Sequence, residues 1–333
     1  MKKATLVVDR NFLQNRIFDG KDTKLNRDNC LAPFIALKQE MAVHGIELCT
    51  QDIHDITISE IVIYNDMPSS LPKKEDIKKS YVLIMESPII VKSSWDIKKH
   101  QCFNKIFTWK DSVVDGKKYF KINYTYRFPT EFNWPAKRNK FCTLISAHKL
   151  SSLPNELYSE RIRSIRWFEE NHPEHFDLYG IGWDKPAFDG ILKIIKKIPF
   201  YESFVPFRKY PSYRGAVSTK YETLTHYDFA ICYENIKGED GYITEKIFDC
   251  FFAGTIPIYW GASNISDHIP ANCYIDMSLF ESSEKLFSFL IKMSDIEKEN
   301  CRINIKNFLN SVQSNQFKVD SFAKTLCDEI LGK

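Results

Sequence analysis

Short apolar runs alternate with longer polar or amphipathic stretches along the whole chain. In its first part these runs predict strands over residues 4–8, 46–50, 60–64, 81–85 and 105–109. The stretch 31–44 has its apolar positions at helical spacing, and Gly45 can close that helix. Strands that are separated by helical or irregular links indicate an α/β fold with a parallel sheet.

A second α/β series follows residues 129–140, which contain two prolines and no apolar period and therefore predict a linker. Beyond it the pattern predicts strands over residues 141–145, 176–179, 229–233, 255–259 and 273–275, helices over 155–171 and within 282–331, and an aromatic and basic loop over 201–216. We thus expect two Rossmann-like domains. The N-terminal domain would span residues 1–135, and the C-terminal domain would span 136–333 and end in a helical tail.

One βαβ unit in the second series is sharply marked. The strand 229–233 leads through a polar loop with two glycines into a helix over 245–252, which Thr244 can cap and Gly254 can close. This helix is apolar nearly all round, so we expect it to be buried with its N-terminus at the carboxyl edge of the sheet, where open α/β folds bind ligands. Lys246 lies in its first turn, where the helix dipole disfavours a cation. Either an anion binds there, or the lysine side chain reaches solvent.

Residues 227–261 resemble the signature of the α-1,3/1,4-fucosyltransferases, which are inverting enzymes that use GDP-fucose. The family pattern places an aromatic residue and Phe before the strand, Glu-Asn after it, and then Tyr-x-Thr-Glu-Lys and Gly-x-x-Pro-x-x-x-Gly. The matching positions here are Tyr227, Phe229, Glu234, Asn235, Tyr242, Thr244, Glu245, Lys246, Gly254, Pro257 and Gly261. The resemblance implies the GT-B fold, in which an acceptor-binding and a donor-binding Rossmann-like domain face a central crevice.

Composition and short motifs exclude several other classes. The 46 basic and 43 acidic residues leave a net charge of only +3, too balanced for nucleic acid as the main partner. A dinucleotide-dependent oxidoreductase would need a third glycine after Gly180 and Gly182, and the chain has none in place. The nine cysteines show no metal-binding spacing and favour a reducing compartment. Without a signal peptide or membrane span in the sequence, we expect a cytoplasmic enzyme, with loose association with the inner face of the membrane left open.

Inverting glycosyl transfer needs a general base on the acceptor side. Glu86 follows the predicted strand 81–85, so it is expected at the mouth of a crevice in an open α/β fold. A glutamate at a strand end is also a common structural feature. However, Glu86 begins a Glu-Ser-Pro triplet that resembles the fucosyltransferase motif carrying the base, and the resemblance assigns that role to Glu86. Asp96 and Asp111 are weaker candidates without a motif.

The leaving diphosphate needs positive charge nearby. Lys246 is the first candidate cation. The family has an Arg after the first donor-domain strand, with apolar residues four and seven positions later. Arg161 fits this pattern with Ile165 and Phe168, whereas the rival Arg163 fits it less well.

The resemblance implies further donor-binding residues. Glu245 could accept from hydroxyls of the sugar or ribose, or stabilise positive charge at the anomeric carbon, which would make it catalytic together with Glu86 and Lys246. Lys220 could contact a phosphate or the ribose, or it could be a surface lysine. Asn235 and Tyr242 match family positions that contact the nucleotide or fucose, while Glu234 could instead bond N–H groups of the loop.

The resemblance thus implies a GDP-fucose-dependent α-1,3-fucosyltransferase. Its acceptor would be the 3-hydroxyl of N-acetylglucosamine in an oligosaccharide, for example a Lewis-type or lipopolysaccharide surface glycan. No Asp-x-Asp motif is present, and Glu239 and Asp240 lack a second acidic pair for Mg²⁺, so we expect neither a metal nor another cofactor. The alternatives are a GT-B transferase with another GDP-sugar donor and a non-catalytic protein that binds glycans or nucleotide sugars.

Overall fold

A computed structural model describes residues 1–198, 200 and 204–333 of the chain, so 201–203 of the predicted loop 201–216 lie outside the described residues. The chain divides into two compact units. The first comprises Met1–Phe128, Asp240–Glu245 and Val312–Lys333, and the second comprises Pro129–Glu239 and Lys246–Ser311.

The first unit is built on a six-stranded parallel sheet of order β2-β1-β3-β4-β5-β6. Its strands are β1 (Lys2–Val7), β2 (Ile46–Thr50), β3 (Ile61–Asn65), β4 (Ser80–Ile84), β5 (Lys105–Thr108) and β6 (Tyr119–Lys121). Its helices include α1 (Ala32–Val43) and the short α2 (Ile97–His100). Most of these strands are covered on both faces, which explains their nearly continuous apolar runs. The prediction missed β6, whose three residues are only half-buried.

One face of this sheet is covered by two helices that are far apart in sequence. Leu37 of α1 and Phe322 and Leu326 of the helix Val319–Leu331 share a buried cluster with Leu6 of β1. The predicted division at residues 135/136 therefore differs from the observed one. The C-terminal helix belongs to the first unit, because its apolar face completes the core there.

The second unit holds a five-stranded parallel sheet of order β11-β10-β9-β7-β8. Its strands are β7 (Lys140–Ile145), β8 (Phe176–Tyr179), β9 (Tyr227–Tyr233), β10 (Ile256–Trp260) and β11 (Ile275–Asp276). The helices that follow are α3 (Tyr158–Asn171), α4 (Lys220–Leu224), α5 (Glu245–Ala253), α6 (Ile265–His268), α7 (Ser283–Leu290) and α8 (Asp295–Leu309). The prediction of two parallel-sheet α/β domains is thus confirmed.

Helix α5 is buried as predicted, and Gly254, which follows its last residue, has a φ of +66°. The Gly254 N–H donates to the Phe251 carbonyl (3.0 Å) and the next N–H donates to the Cys250 carbonyl (2.9 Å), which is a Schellman motif. Trp134 Nε1 and Arg138 Nη2 donate to the last two carbonyls of the helix (2.8 and 2.9 Å). The predicted linker 129–140 is therefore a packed part of the second unit.

None of the helices in the described part of the chain combines the length and the apolar character that a membrane span requires.

Candidate active site

In the first unit, Glu86 lies just beyond the end of β4, and both its main-chain N–H and its carbonyl form hydrogen bonds. The Glu86 N–H donates to Oδ1 of Asp66 (3.3 Å), and the Glu86 carbonyl accepts from Nε1 of Trp95 (3.0 Å). The preceding Met85 N–H donates to the same Asp66 oxygen (3.2 Å). These bonds hold the main chain at the position that the sequence assigns to the general base.

Three aromatic side chains surround this strand end. Trp109 Nε1 donates to the Met85 carbonyl (2.9 Å), and the Tyr124 hydroxyl donates to the same oxygen. Tyr242 from the loop before α5 packs on both, with ring centroids 4.7 Å from Trp109 and 6.0 Å from Tyr124. Tyr242, which the resemblance predicts to bind the donor, is thus buried beside the predicted base, within the first unit.

Tyr124 is a residue that the sequence did not point to. Burial raises its pKa, and the nearby Tyr242 and the carboxylates of Glu86, Glu245 and Asp66 raise it further. The phenol therefore stays protonated and can serve as a hydrogen-bond donor next to the predicted base. A tyrosine in a stretch without a motif gives no signal in a single sequence.

The two weaker candidates for the base have other roles. The carboxylate of Asp96 caps α2 by accepting from the Lys98 N–H (3.2 Å). Asp111 forms an ion pair with Lys121 (2.5 Å). Asp240 of the glycine loop accepts from the N–H and hydroxyl groups of Ser112.

Asp66 gives a testable pH dependence. Burial raises its pKa to about 6, against the lowering effect of the N–H groups of Glu86 and Met85. The native state therefore holds this proton more tightly than the unfolded chain does, so the contribution of Asp66 to stability is present below about pH 4 and is lost as the pH rises through about 6. We expect Asp66→Asn to flatten the dependence of the free energy of unfolding on pH in this range, by up to about 1.4 kcal/mol per pH unit.

Urea unfolding at a series of pH values measures this slope. Asn tolerates the positive φ of Asp66 (+62°), so the substitution does not strain the main chain. Asp320→Asn, at an exposed position, is the control. Equal slopes in wild type and Asp66→Asn would show that Asp66 does not titrate there.

In the second unit, Lys246 is paired with the glutamate at the end of β9. Lys246 Nζ lies 3.0 Å from Oε2 of Glu234; the glutamate side chain is 0% exposed and that of Lys246 is 22% exposed. The Glu234 N–H donates to the Trp260 carbonyl (2.8 Å). A buried carboxylate thus holds the ammonium group, a partner that the sequence did not predict for Lys246.

Arg161 of α3 is buried against the same strand end. Its Nη2 donates to the carbonyls of Tyr233 (2.6 Å) and Glu234 (2.8 Å) and to Oδ1 of Asn235 (3.1 Å). The rival Arg163 is 70% exposed and pairs with Glu160 on its own helix. Arg161, Glu234, Asn235 and Lys246 therefore form one polar cluster at the carboxyl end of β9.

Lys220 forms an ion pair with a residue of α5. It is the first residue of α4, and its Nζ lies 2.7 Å from Oδ2 of Asp249 on α5. This ion pair links the two helices. Its predicted contact with the donor stays a prediction.

Position 261 of the signature requires a glycine, because the neighbouring atoms leave no room for a Cβ. A Cβ at this position would lie 2.5 Å from both Cγ of Glu234 and the Tyr259 hydroxyl. We expect Gly261→Ala to destabilise the protein by roughly 1–3 kcal/mol, the usual cost of overpacking. Chemical denaturation measures this, with Gly20→Ala as the control, because Gly20 also lacks a positive φ and a Cβ there would lie 3.3 Å from the end of the Ile35 side chain. A stability equal to wild type would contradict the crowding.

A cavity of about 820 Å³ opens in the second unit at the carboxyl ends of β10 and β11. Its lining includes Asn155, Lys237, Trp260, Tyr274 and Asp276. Lys237 Nζ lies over the Trp260 ring, 4.7 Å from its centroid. The volume falls in the range of roughly 300–1,000 Å³ that is typical of small-molecule sites.

Comparison with known proteins identifies relatives of the C-terminal part. Residues 187–328 match the family model "Glycosyltransferase family 10 (fucosyltransferase) C-term". The chain is 28% identical over 120 residues to alpha-(1,3)-fucosyltransferase FucT of Helicobacter pylori, which covers 34% of this chain and 25% of that protein. It is 39% identical over 72 residues to alpha-(1,4)-fucosyltransferase of Arabidopsis thaliana, which covers 22% and 18%. The match thus spans a quarter or less of these relatives.

Solved structures are similar in fold to this protein over its whole chain. A crystal structure of α1,3-fucosyltransferase with GDP has a TM-score of 0.56 at 15% identity and covers 100% of this chain and 90% of that one. Anabaena HepE in complex with UDP and glucose has a TM-score of 0.55 at 9% identity and covers 100% of both chains. These likenesses confirm the predicted GT-B fold class.

Proposed function

Since residues 187–328 match the family model of the family 10 glycosyltransferases, the fucosyltransferase family, we propose that this protein is an inverting α-1,3-fucosyltransferase. It moves L-fucose from GDP-fucose to the 3-hydroxyl of N-acetylglucosamine in an oligosaccharide acceptor. The observation that carries the proposal is the polar cluster at the end of β9, where Arg161 meets Glu234, Asn235 and Lys246 of the fucosyltransferase signature.

The reaction is a single displacement at the anomeric carbon. The Glu86 carboxylate takes the proton of the acceptor hydroxyl, and the oxygen attacks from the face opposite the leaving group. The bond between the anomeric carbon and the diphosphate oxygen breaks, its electron pair stays on GDP, and the configuration inverts. The main-chain bonds around Met85 and Glu86 keep the base in a fixed position, which such a step requires.

Cations offset the negative charge that grows on the diphosphate. In this proposal Lys246 donates to the diphosphate while Glu234 keeps its ammonium group oriented. Arg161 is the second cation at the diphosphate and also holds Asn235 in place. Lys220, Asn235 and Tyr242 contact the donor. Glu245 faces the sugar and stabilises the positive charge that develops at the anomeric carbon.

The fold does not select the donor sugar, because a structure that holds UDP and glucose matches as well as one that holds GDP. A transfer assay with several nucleotide sugars identifies the donor. The protein is incubated with GDP-fucose, GDP-mannose, UDP-glucose or UDP-N-acetylglucosamine and with acceptors that carry N-acetylglucosamine, and the linkage in the product is read by NMR. We expect transfer from GDP-fucose alone. Transfer from another donor would replace fucose in the proposal, and donor binding without transfer or hydrolysis would favour the non-catalytic alternative.

We expect the transferase activity to persist in EDTA. The leaving group is stabilised by side-chain cations, and the sequence has no acidic pair that would hold a metal at the diphosphate. Initial rates with and without EDTA measure this directly. Complete loss of activity in EDTA that Mn²⁺ or Mg²⁺ restores would contradict the proposed metal-free mechanism.

A further inference from the structure

Three potential metal ligands meet where β2, the edge strand of the first unit, leads into the following turn. Glu47 and Cys49 are two residues apart, so their side chains lie on the same face of the strand. His54 follows in the next turn. A carboxylate oxygen of Glu47, Sγ of Cys49 and a ring nitrogen of His54 all lie within 4.8 Å of one another. Two strands, β1 and β3, separate this group from β4 and the proposed base.

The imidazole of His54 is oriented as it would be in a metal site. Its Nδ1 lies 3.1 Å from the Ala4 carbonyl, which can only accept, so Nδ1 carries the proton. The Thr5 hydroxyl donates to the His54 carbonyl (2.8 Å) and fixes the turn. The remaining nitrogen, Nε2, points to Glu47, with 3.4 Å between Nε2 and Oε2. Histidines that bind metals usually donate their second N–H to a carbonyl in this way.

The geometry and the exposure of the three side chains suit a small cation. Ligand atoms at about 2.0–2.3 Å from a tetrahedral zinc ion lie roughly 3.4–3.6 Å apart, close to the separation of the histidine and glutamate atoms. Cys49 and His54 are buried, whereas the Glu47 side chain is 48% exposed, so an ion could enter from the glutamate side.

We propose that Glu47, Cys49 and His54 form a Zn²⁺ site, with water as the fourth ligand. Thiolate, imidazole and carboxylate together are a ligand set that zinc accepts, and two anionic ligands neutralise its charge. The ion would connect the edge strand to the turn that follows it. The site therefore stabilises the first unit and takes no part in the transfer reaction, so it stands independently of the proposed function.

Metal titration of the full-length protein tests the site. After removal of metal with a chelator, Co²⁺ is added, and we expect a thiolate-to-cobalt absorption band at one equivalent that Zn²⁺ then abolishes. Zn²⁺ should also raise the melting temperature of the wild type. Cys49→Ser and His54→Gln should abolish the band, and Glu47→Gln should weaken Zn²⁺ affinity by at least about tenfold.

Two substitutions elsewhere in the first unit are matched controls. Cys30→Ser removes an exposed cysteine, and His44→Gln removes a histidine that lies 3.3 Å from the carboxylate of Glu40. Both should bind Co²⁺ as the wild type does. If Cys49→Ser does not fold, Glu47→Gln at its exposed position remains decisive. Absence of the band in wild type, its loss in Cys30→Ser, or unchanged Zn²⁺ affinity in Glu47→Gln would overturn the site.

Discussion

Replacing Glu86 by Gln should lower the turnover number at least about 10²-fold and leave GDP-fucose binding nearly unchanged. The amide is isosteric with the carboxylate but cannot take a proton. The main chain at this position is held by Asp66 and Trp95 through groups that the substitution does not alter. The loss should therefore be confined to the chemical step.

Calorimetry with GDP-fucose and initial rates at saturating substrate measure the two quantities separately. Glu75→Gln, at an exposed position of the same unit, is the matched control and should keep full activity. Turnover close to wild type in Glu86→Gln would remove Glu86 from the mechanism. Equal losses in binding and turnover would assign it a role in holding the donor instead of proton transfer.

Replacing Lys246 by Ala should weaken GDP binding by roughly 1.5–3 kcal/mol, the usual effect of losing a hydrogen bond from a charged group. The loss in kcat/KM should be larger, because charge on the diphosphate grows as the glycosidic bond breaks. The substitution also leaves the buried carboxylate of Glu234 without its partner, and breaking a buried pair can cost about 3–5 kcal/mol of stability. Stability and affinity must therefore be measured on the same variants.

The double variant Glu234→Gln/Lys246→Ala separates the two effects. It removes the uncompensated buried charge, so we expect it to recover stability relative to Lys246→Ala but not to recover GDP affinity. Calorimetry gives the affinity and urea unfolding gives the stability. Wild-type GDP affinity in a folded Lys246→Ala protein would reduce Lys246 to a structural partner of Glu234.

Arg161 extends this test to a double-mutant cycle. If Arg161 and Lys246 act on one phosphate, their effects on GDP affinity should deviate from additivity by at least about 0.5 kcal/mol. Because both side chains also contact Glu234, a coupling in stability is expected whether or not a ligand is bound. Only the coupling in GDP affinity tests whether the two side chains contact the same phosphate. If the effects of the two substitutions on GDP affinity were additive, this hypothesis would be contradicted.

The elements that could be predicted are those whose burial produces a recognisable hydrophobic pattern in the local sequence. The central strands are covered on both faces, so β3 and β4 appear as unbroken apolar runs. The half-buried β6 leaves no such run. An amphipathic helix shows that it has an apolar face but not which surface covers that face. For this reason the sequence does not show that the helix Val319–Leu331 belongs to the first unit.

The candidate site follows the same rule. The residue spacing around Arg161 and Lys246 identified two side chains that both contact Glu234 in the second unit. The same spacing could not show that Tyr242, only a few residues before Lys246, packs into the first unit. Asp66 and Tyr124 act through bonds to the main chain of a distant strand end, which impose no pattern on the sequence around them.

The first unit is assembled from three separate stretches of chain, and this has a consequence during protein synthesis. Residues 312–333 cover a sheet whose strands lie within the first 128 residues. At ribosomal rates of about 5–20 residues per second, the C-terminal helix is synthesised roughly ten to forty seconds after the last strand of that sheet. During this interval the apolar side chains around Leu6 and Leu48 are exposed to solvent, so a nascent chain of this protein offers chaperones a target. A premature stop codon before residue 312 would make that exposure permanent.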